Sequence, residues 1–369
     1  MNSEAIALAN IVDMTRDLVS FYTKNINEID YKRVDILPAT LKAIGPDTRD
    51  VYTAGTAPPL IPLRANGTNP YTGIYLLSNS NGDKGFSYNF TFTVDRAWDN
   101  KWSFNANYSY GNSVVKNEGT SSQNNSQWRF MEARNGRNSI GLSTSDYDLG
   151  HRISAFTSKK IKYFNNRLAT TVSLVYNGQS GSPYSYTTAG SLVRDNASGD
   201  GNDLLYIPTT AQIAGMTFLT NTIGTGTTAV VYTPQQQRDA FNQFIEDDKY
   251  LTKRRGQYAE RNGARLPFTN VVDLKLQQDF TVNLGGKPYS LQLTYDLFNL
   301  TNFIDRNAGK QYFIANDQST ILSFGGYVSA SNLTPQYRFT PRTTTVYNIS
   351  DGVYNSSRWS SQLGVRLTF

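Results

Sequence analysis

Phe86-Ser87-Tyr88-Asn89-Phe90-Thr91-Phe92-Thr93-Val94-Asp95 decides the fold. Apolar and polar residues take strict turns along it, and an extended strand is the conformation that sends successive side chains to opposite faces. The rhythm recurs in Trp102, Phe104, Ala106, Tyr108 and Tyr110, and again in Leu168, Thr170, Val172, Leu174 and Tyr176. It returns in Val272, Leu274, Leu276 and Phe280, opposite Asp273, Lys275, Gln277 and Asp279. Tyr289, Leu291, Leu293, Tyr295 and Leu297 repeat it, opposite Ser290, Gln292, Thr294 and Asp296. The chain closes on Trp359, Ser361, Leu363, Val365, Leu367 and Phe369, and interrupted runs lie at about Asp17 to Asp35 and about Gly150 to Phe164. These segments make about eight strands, most long enough for the roughly 9 to 11 residues that a tilted membrane-crossing strand needs.

The connections fall into two kinds. Arg96 to Lys101, Asn165-Asn166 ahead of Arg167, and Asn283 to Pro288 with Gly285-Gly286 are short. Between them run long ones, roughly Asp35 to Gly85, Gly111 to Leu149, Asn177 to Thr269 and Phe303 to Tyr354. Short turns at one end and long loops at the other is the habit of transmembrane barrels, with the short turns periplasmic and the long loops extracellular. A soluble sandwich has no reason for that bias, and structureless loops of this length are rare in soluble domains. The expected fold is therefore all-β, an antiparallel transmembrane β-barrel with long extracellular loops. Trp98, Trp102, Tyr163, Phe164, Phe280, Tyr289 and Phe369 all fall near short-turn ends, as an interfacial aromatic girdle requires. One short helix is expected inside the longest loop. Thr233-Pro234-Gln235-Gln236 supplies a capping threonine, a proline at the first helical position and a capping-box glutamine, and Phe241, Phe244, Ile245 and Leu251 follow at near-helical spacing.

Composition agrees. Hydrophobic residues are only 38% and mean hydropathy is −0.47, with no run near the roughly 20 apolar residues of a spanning helix. Alternation dilutes hydropathy in a barrel, so neither value argues against one. Aromatics reach 13%, enough to furnish strands and girdles. Cysteine is absent and His151 is the single histidine, which leaves no thiolate site and argues against a histidine-based zinc site or catalytic triad. The net charge of +6 is spread along the chain, and its one compact basic run, Lys253-Arg254-Arg255, follows Glu246-Asp247-Asp248. No nucleic-acid partner is expected.

The last strand, with Leu363, Val365, Leu367 and a terminal Phe369, resembles the signal that the barrel-assembly machinery reads in outer-membrane proteins. Three interior segments resemble the C-terminal barrel region of TonB-dependent receptors, particularly the Oar-like group. They are Asn177-Gly178-Gln179-Ser180-Gly181-Ser182-Pro183-Tyr184-Ser185-Tyr186, Gly199-Asp200-Gly201-Asn202-Asp203-Leu204-Leu205-Tyr206-Ile207-Pro208, and the stretch from Arg261-Asn262-Gly263 to Asp296-Leu297-Phe298-Asn299-Leu300-Thr301-Asn302-Phe303. Tyr75 to Asn79 and Gly85 to Asn89 also fit, so the resemblance covers about residues 20 to 369. It implies a plugged barrel of about 22 strands in the Gram-negative outer membrane. It also implies uptake driven by the TonB complex through a plug domain, with an extracellular ligand of unread identity. Neither the plug nor its TonB-binding segment is visible in the sequence. Met1-Asn2-Ser3-Glu4 lacks the basic region of a signal peptide. Residues 1–16 are accordingly expected to be an atypical N-terminal segment at a truncation start, with 17–369 the C-terminal part of the receptor barrel.

Asp195, Asp200, Asn202 and Asp203 offer oxygens of the kind Ca²⁺ prefers. Ala197 and Gly199 break the EF-hand spacing, so a polar Asx/Gly turn is the favoured reading and no metal or cofactor is expected. Asn177-Gly178-Gln179-Ser180-Gly181 lacks the lysine and following helix of a phosphate-binding loop. No nucleophile-elbow pattern occurs, and no enzyme activity is expected. Asp273, Lys275, Asp279 and Asp296 alternate on the lumen side of two neighbouring strands, either touching a plug or solute or forming a salt-bridged, hydrated wall. Transport competes with a second reading, a structural or adhesive barrel closed by about eight strands, and a third, a secreted soluble β protein.

Overall fold

The computed structural model describes residues 6–18, 21–25, 32–33, 46–49, 52–53, 75–79, 85–119, 121–190, 192–193, 201–329, 332–342, 346–349 and 357–369. The alternating segments assemble into one antiparallel wall of eight long strands, and a short strand, Ser143–Thr144, pairs off it. In chain order the eight are β1 (Ile6–Leu18), β2 (Gly85–Trp98), β3 (Trp102–Val115), β4 (Gly150–Tyr163), β5 (Leu168–Gln179), β6 (Thr269–Leu284), β7 (Lys287–Phe298) and β8 (Ser360–Thr368). Each pairs with its chain neighbour. β1 and β8 do not pair with each other among the described residues, so the wall is open rather than closed into a ring.

Register explains why alternation was so strict. Val172 of β5 faces Leu276 of β6, which faces Tyr295 of β7, which faces Leu363 of β8. One apolar row thus crosses four strands on one face, and its neighbours do the same. Leu276, Phe280, Leu291 and Leu293 stay between 37% and 41% exposed although they lie within the sheet, because among the described residues nothing covers that face. The opposite face is a hydrogen-bonded polar lining. Thr93 donates to Asn107 at 2.6 Å, Asn105 to Asp95 at 3.0 Å, and Ser158 bonds Ser173 at 2.8 Å. This inverted wall, apolar outside and polar inside, suits a sheet bathed by lipid on one side and water on the other. No helix among the described residues is long and apolar enough to cross a membrane.

The short turns follow from local chemistry. Gly285 and Gly286 carry φ of 59° and 79°, the paired left-handed geometry of a two-residue hairpin, closing Leu284 onto Lys287. Asn165 and Asn166 take φ of 52° and 64° between β4 and β5, a conformation asparagine tolerates better than most residues. Beside these turns Trp98 and Trp102 pack at 5.4 Å and Tyr163 meets Phe164 at 5.7 Å, giving the aromatic end expected from the sequence.

Two expectations need correction. The first wall strand is Ile6–Leu18, ahead of the run expected at about Asp17 to Asp35, and it pairs with β2 from Ile6 opposite Asp95 to Leu18 opposite Gly85. It escaped notice because Asn10, Asp13 and Arg16 interrupt its pattern and the register slips between Asn10 and Asp13. The strand Phe21–Asn25 pairs instead with Tyr75–Asn79.

The long connections, secondly, hold more than the one short helix expected. They carry the protein's hydrophobic core, in which Tyr186, Phe241, Ile245, Leu251 and Phe339 are sealed from solvent. The expected helix, α1 (Pro234–Asp247), has its capping box: Gln236 N donates to Thr233 Oγ1 at 3.3 Å and Thr233 N to Gln236 Oε1 at 2.9 Å. It buries Gln237, Phe241, Phe244 and Ile245, one face of a helix. Buried Gln237 is fully used, donating to Leu219 O at 2.7 Å and accepting from Phe339 N at 2.9 Å. Further short helices occupy Asn124–Arg129, Thr210–Ala214 and Leu300–Ile304. Beneath α1 lies a sheet in which Pro183–Ala189 runs parallel to Gln318–Ser329 and Thr217–Phe218 runs parallel to Asn332–Phe339. The early segment 46–49 is tied into the same layer, where Arg49 Nη2 donates to Leu204 O at 2.8 Å.

Candidate functional site at the junction of wall and loops

The polar face of β6 and β7 holds the four charged positions singled out from the sequence, and it brings them into pairs. Lys275 lies 3.0 Å from Asp296, and Asp279 lies 2.8 Å from Lys160 of β4 while accepting from Gln292 at 2.8 Å. Asp273 accepts from Asn299 N at 2.7 Å and so holds the top of β7 where the Leu300–Ile304 turn begins. Lys275 and Asp296 thus neutralise each other, Asp279 is balanced by Lys160, and Asp273 is held by a backbone N–H.

The end-strand residues lie on the other face. Leu363 sits opposite Tyr295, Val365 opposite Leu293 and Leu367 opposite Leu291. With Phe369 they are 63% to 89% exposed, the highest values of the apolar rows, because β8 is an edge. Of the four residues weighed for Ca²⁺, Asp195 and Asp200 lie outside the described residues. Asp203 is buried, with Oδ2 accepting from Leu192 N at 2.8 Å and Val193 N at 3.1 Å and Oδ1 3.5 Å from Arg137. Asn202 spends its amide on Arg129 O at 3.1 Å. Both therefore staple the loop layer together. Among the described residues no group of three or more His, Cys, Asp or Glu side chains has metal-site geometry.

What the sequence reading missed is the seam between loops and wall. Arg261 is buried there, its Nη1 donating to Lys116 O at 2.7 Å and its Nη2 to Val115 O at 2.8 Å, at the very end of β3. Asn262, at φ 57°, donates to Asp146 Oδ1 at 2.6 Å and to Thr144 O at 2.9 Å, while Ser143 Oγ donates to Arg261 O. Arg265 completes the seam with Asp148 at 3.1 Å. Beside Arg261 opens a cavity of about 580 Å³ lined by Glu118, Glu132, Asp146 and Asp317 together with Gln127 and Gln318. Burial raises the carboxyl pKa of Glu118, Glu132 and Asp317, only partly offset at the two glutamates by the Arg261 guanidinium. Desolvation lowers that of Arg261 itself, against the pull of Glu132, Asp146 and Glu118. The cavity is thus a polar, acid-rich chamber around one fixed cation. Arg261-Asn262-Gly263 stood out in the sequence, but the acids it meets are far away along the chain and carry no local signal.

A wall with lipid-type rows outside, a hydrated polar face inside and aromatic turns defines an integral membrane β-barrel protein. Comparison with known families agrees: residues 20–338 match the family described as Outer membrane beta barrel domain, and the chain belongs to it. It is an outer-membrane protein. The match begins just after β1 and stops before β8. No curated protein and no solved structure matches the chain.

Proposed function

We propose that the chain supplies part of the wall and the ligand-capturing outer loops of a TonB-dependent receptor. In this reading the folded loop layer faces outward and binds a ligand. The TonB complex then shifts a plug domain, lying outside these residues, so that the ligand passes along the polar face of the wall. The observation that carries the reading is the size of the inward side chains on β2 and β3. Ser87, Thr91 and Thr93 of β2 and Ser103, Asn105, Asn107 and Ser109 of β3 are small, and they bond sideways along the wall. A barrel of about eight strands is narrow enough that its own side chains fill it. Small residues suit a wider, water-filled interior, which favours a transporter over the runner-up, a small structural or adhesive barrel.

The test uses the full-length gene product extracted from outer membranes and passed over the immobilised periplasmic domain of TonB. Retention of the folded, heat-modifiable protein is expected. Folded protein that flows through unretained would overturn the uptake reading and leave the structural barrel.

A further inference from the structure

The outward face of the wall changes chemistry near its loop end. Its rows across β2 to β5 read Val94–Ala106–Ala155–Tyr176, then Phe92–Tyr108–Ile153–Gly178, then Phe90–Tyr110–His151. On β2 and β3 the face continues in Tyr88 opposite Asn112 and Phe86 opposite Val114, and beside His151 it opens into a cleft of about 390 Å³, lined among others by Asn112, Thr144, Ser180 and Arg265. β4 has 14 residues. At about 3.3 Å per residue and a tilt of about 40° it climbs roughly 35 Å, which lifts its upper end clear of an apolar band about 25 Å tall. The cleft therefore stands at headgroup height on the side that faces lipid.

Its groups are arranged for a hydroxylated ligand. The His151 ring lies 4.7 Å from that of Tyr110 and its Nδ1 is 2.8 Å from the Tyr108 hydroxyl. Its Nε2, the Asn112 amide and the Thr144 hydroxyl have no side-chain or backbone partner among the described residues. Arg265 is held rigidly by Asp148 at 3.1 Å and Gly181 O at 3.0 Å, yet stays a third exposed. Because Asp148 balances its charge, the cleft is suited to neutral hydroxyls more than to a bare anion. Gly150 is required behind it: at φ 58°, a Cβ there would come within 2.9 Å of Ser180 Oγ. Tyr147 and Leu149, 69% and 65% exposed, lie in the turn just ahead of β4, on either side of buried Asp148. They are chain neighbours of Asp148 and Gly150, which line the cleft, and put exposed apolar surface beside it.

We propose that this cleft binds the sugar-bearing headgroup of a lipid in the adjoining membrane leaflet. The sugar face stacks on Tyr110 and His151, its hydroxyls meet Asn112, Thr144 and Arg265, and the acyl chain runs down past Tyr108, Ile153 and Tyr176. This inference rests on the outer-membrane assignment and not on the uptake reading.

The test places a photo-crosslinking phenylalanine derivative at Asn112, in the cleft, or at Asn107, on the opposite face of the same strand. Both variants are made in the full-length protein in its native outer membrane, and heat-modifiability certifies the fold. A sugar-staining adduct of lipid mass is expected from position 112 and not from 107, and unchanged by excess free oligosaccharide. Loss of the adduct to free oligosaccharide would mean a soluble-sugar site and overturn the lipid assignment, as would no adduct or a protein-only adduct from folded protein. Independently, Leu149→Trp should be quenched by brominated lipid chains in vesicles severalfold more than Ile223→Trp, which sits on an exposed hairpin of the loop layer. Equal quenching would also overturn the proposal.

Discussion

Replacing Leu276 by arginine tests the inverted wall most directly. Leu276 lies near the middle of the 16-residue strand β6, between Val172 and Tyr295, on the face that no other described residues cover. If that face meets lipid, the guanidinium must lie near the bilayer midplane, where such a substitution costs about 2–4 kcal/mol in a transmembrane barrel. That is roughly a thirtyfold to thousandfold drop in the folding equilibrium constant. Gln277, one residue on, points to the polar face between Thr171 and Thr294, with Asp279 and Asp296 near by on the same face. Arginine there stays in water beside carboxylates, and Gln277→Arg should change stability by no more than about 0.5 kcal/mol. The assay is urea unfolding of the full-length protein in lipid vesicles, followed by tryptophan emission and by heat-modifiable mobility on gels. Equal losses from the two variants, or a larger one from Gln277→Arg, would refute the assignment of faces.

Three further outcomes follow from the loop layer. Phe241→Ala removes a fully buried ring that packs against Phe218 and Phe339; a loss of about 3–5 kcal/mol is expected in the layer alone, seen as loop proteolysis with the wall still heat-modifiable. Arg261→Ala strips the seam of its cation and leaves Glu118, Glu132 and Asp146 without it. It should cost about 3–5 kcal/mol, read as nicking near residues 116–132, whereas Arg261→Lys should restore part of the protection. Because burial raises the pKa of Glu118, Glu132 and Asp317 in the folded state, each holds its proton more tightly folded than unfolded. Their contribution to stability is complete below the ordinary carboxylate range and is lost as pH rises through the raised values. Protease resistance of the layer should therefore fall as pH rises from about 4.5 toward neutrality, and a rise instead would contradict the burial of these acids.

The two halves of the molecule use the hydrophobic effect in opposite senses. In the wall, apolar rows are left uncovered because lipid, not protein, covers them. In the loop layer they turn inward around Tyr186, Phe241 and Phe339 in the ordinary way. That layer is stapled to the wall by Arg261, Asn262 and Arg265, so it is held in register with the strands beneath.

The sequence by itself determined seven of the wall strands, the short turns and the helix at Pro234. The reason is local: a strand between lipid and water must alternate residue by residue, and caps and Gly-Gly turns act over a few positions. It also determined the faces, which is why Asp273, Lys275, Asp279 and Asp296 lie together on the polar side. Only the tertiary structure decided that Ile6–Leu18 pairs with β2, since a strand with broken alternation is recognised by its partner and not by its own pattern. Only it decided that Asp203 staples the backbone of Leu192 and Val193, that Pro183–Ala189 lies parallel to Gln318–Ser329, and that Arg261 meets Glu118, Glu132 and Asp146. Those contacts join residues remote in the chain, and parallel pairing through long connections leaves no periodic mark. Their energy comes from burying groups that no short window of sequence contains.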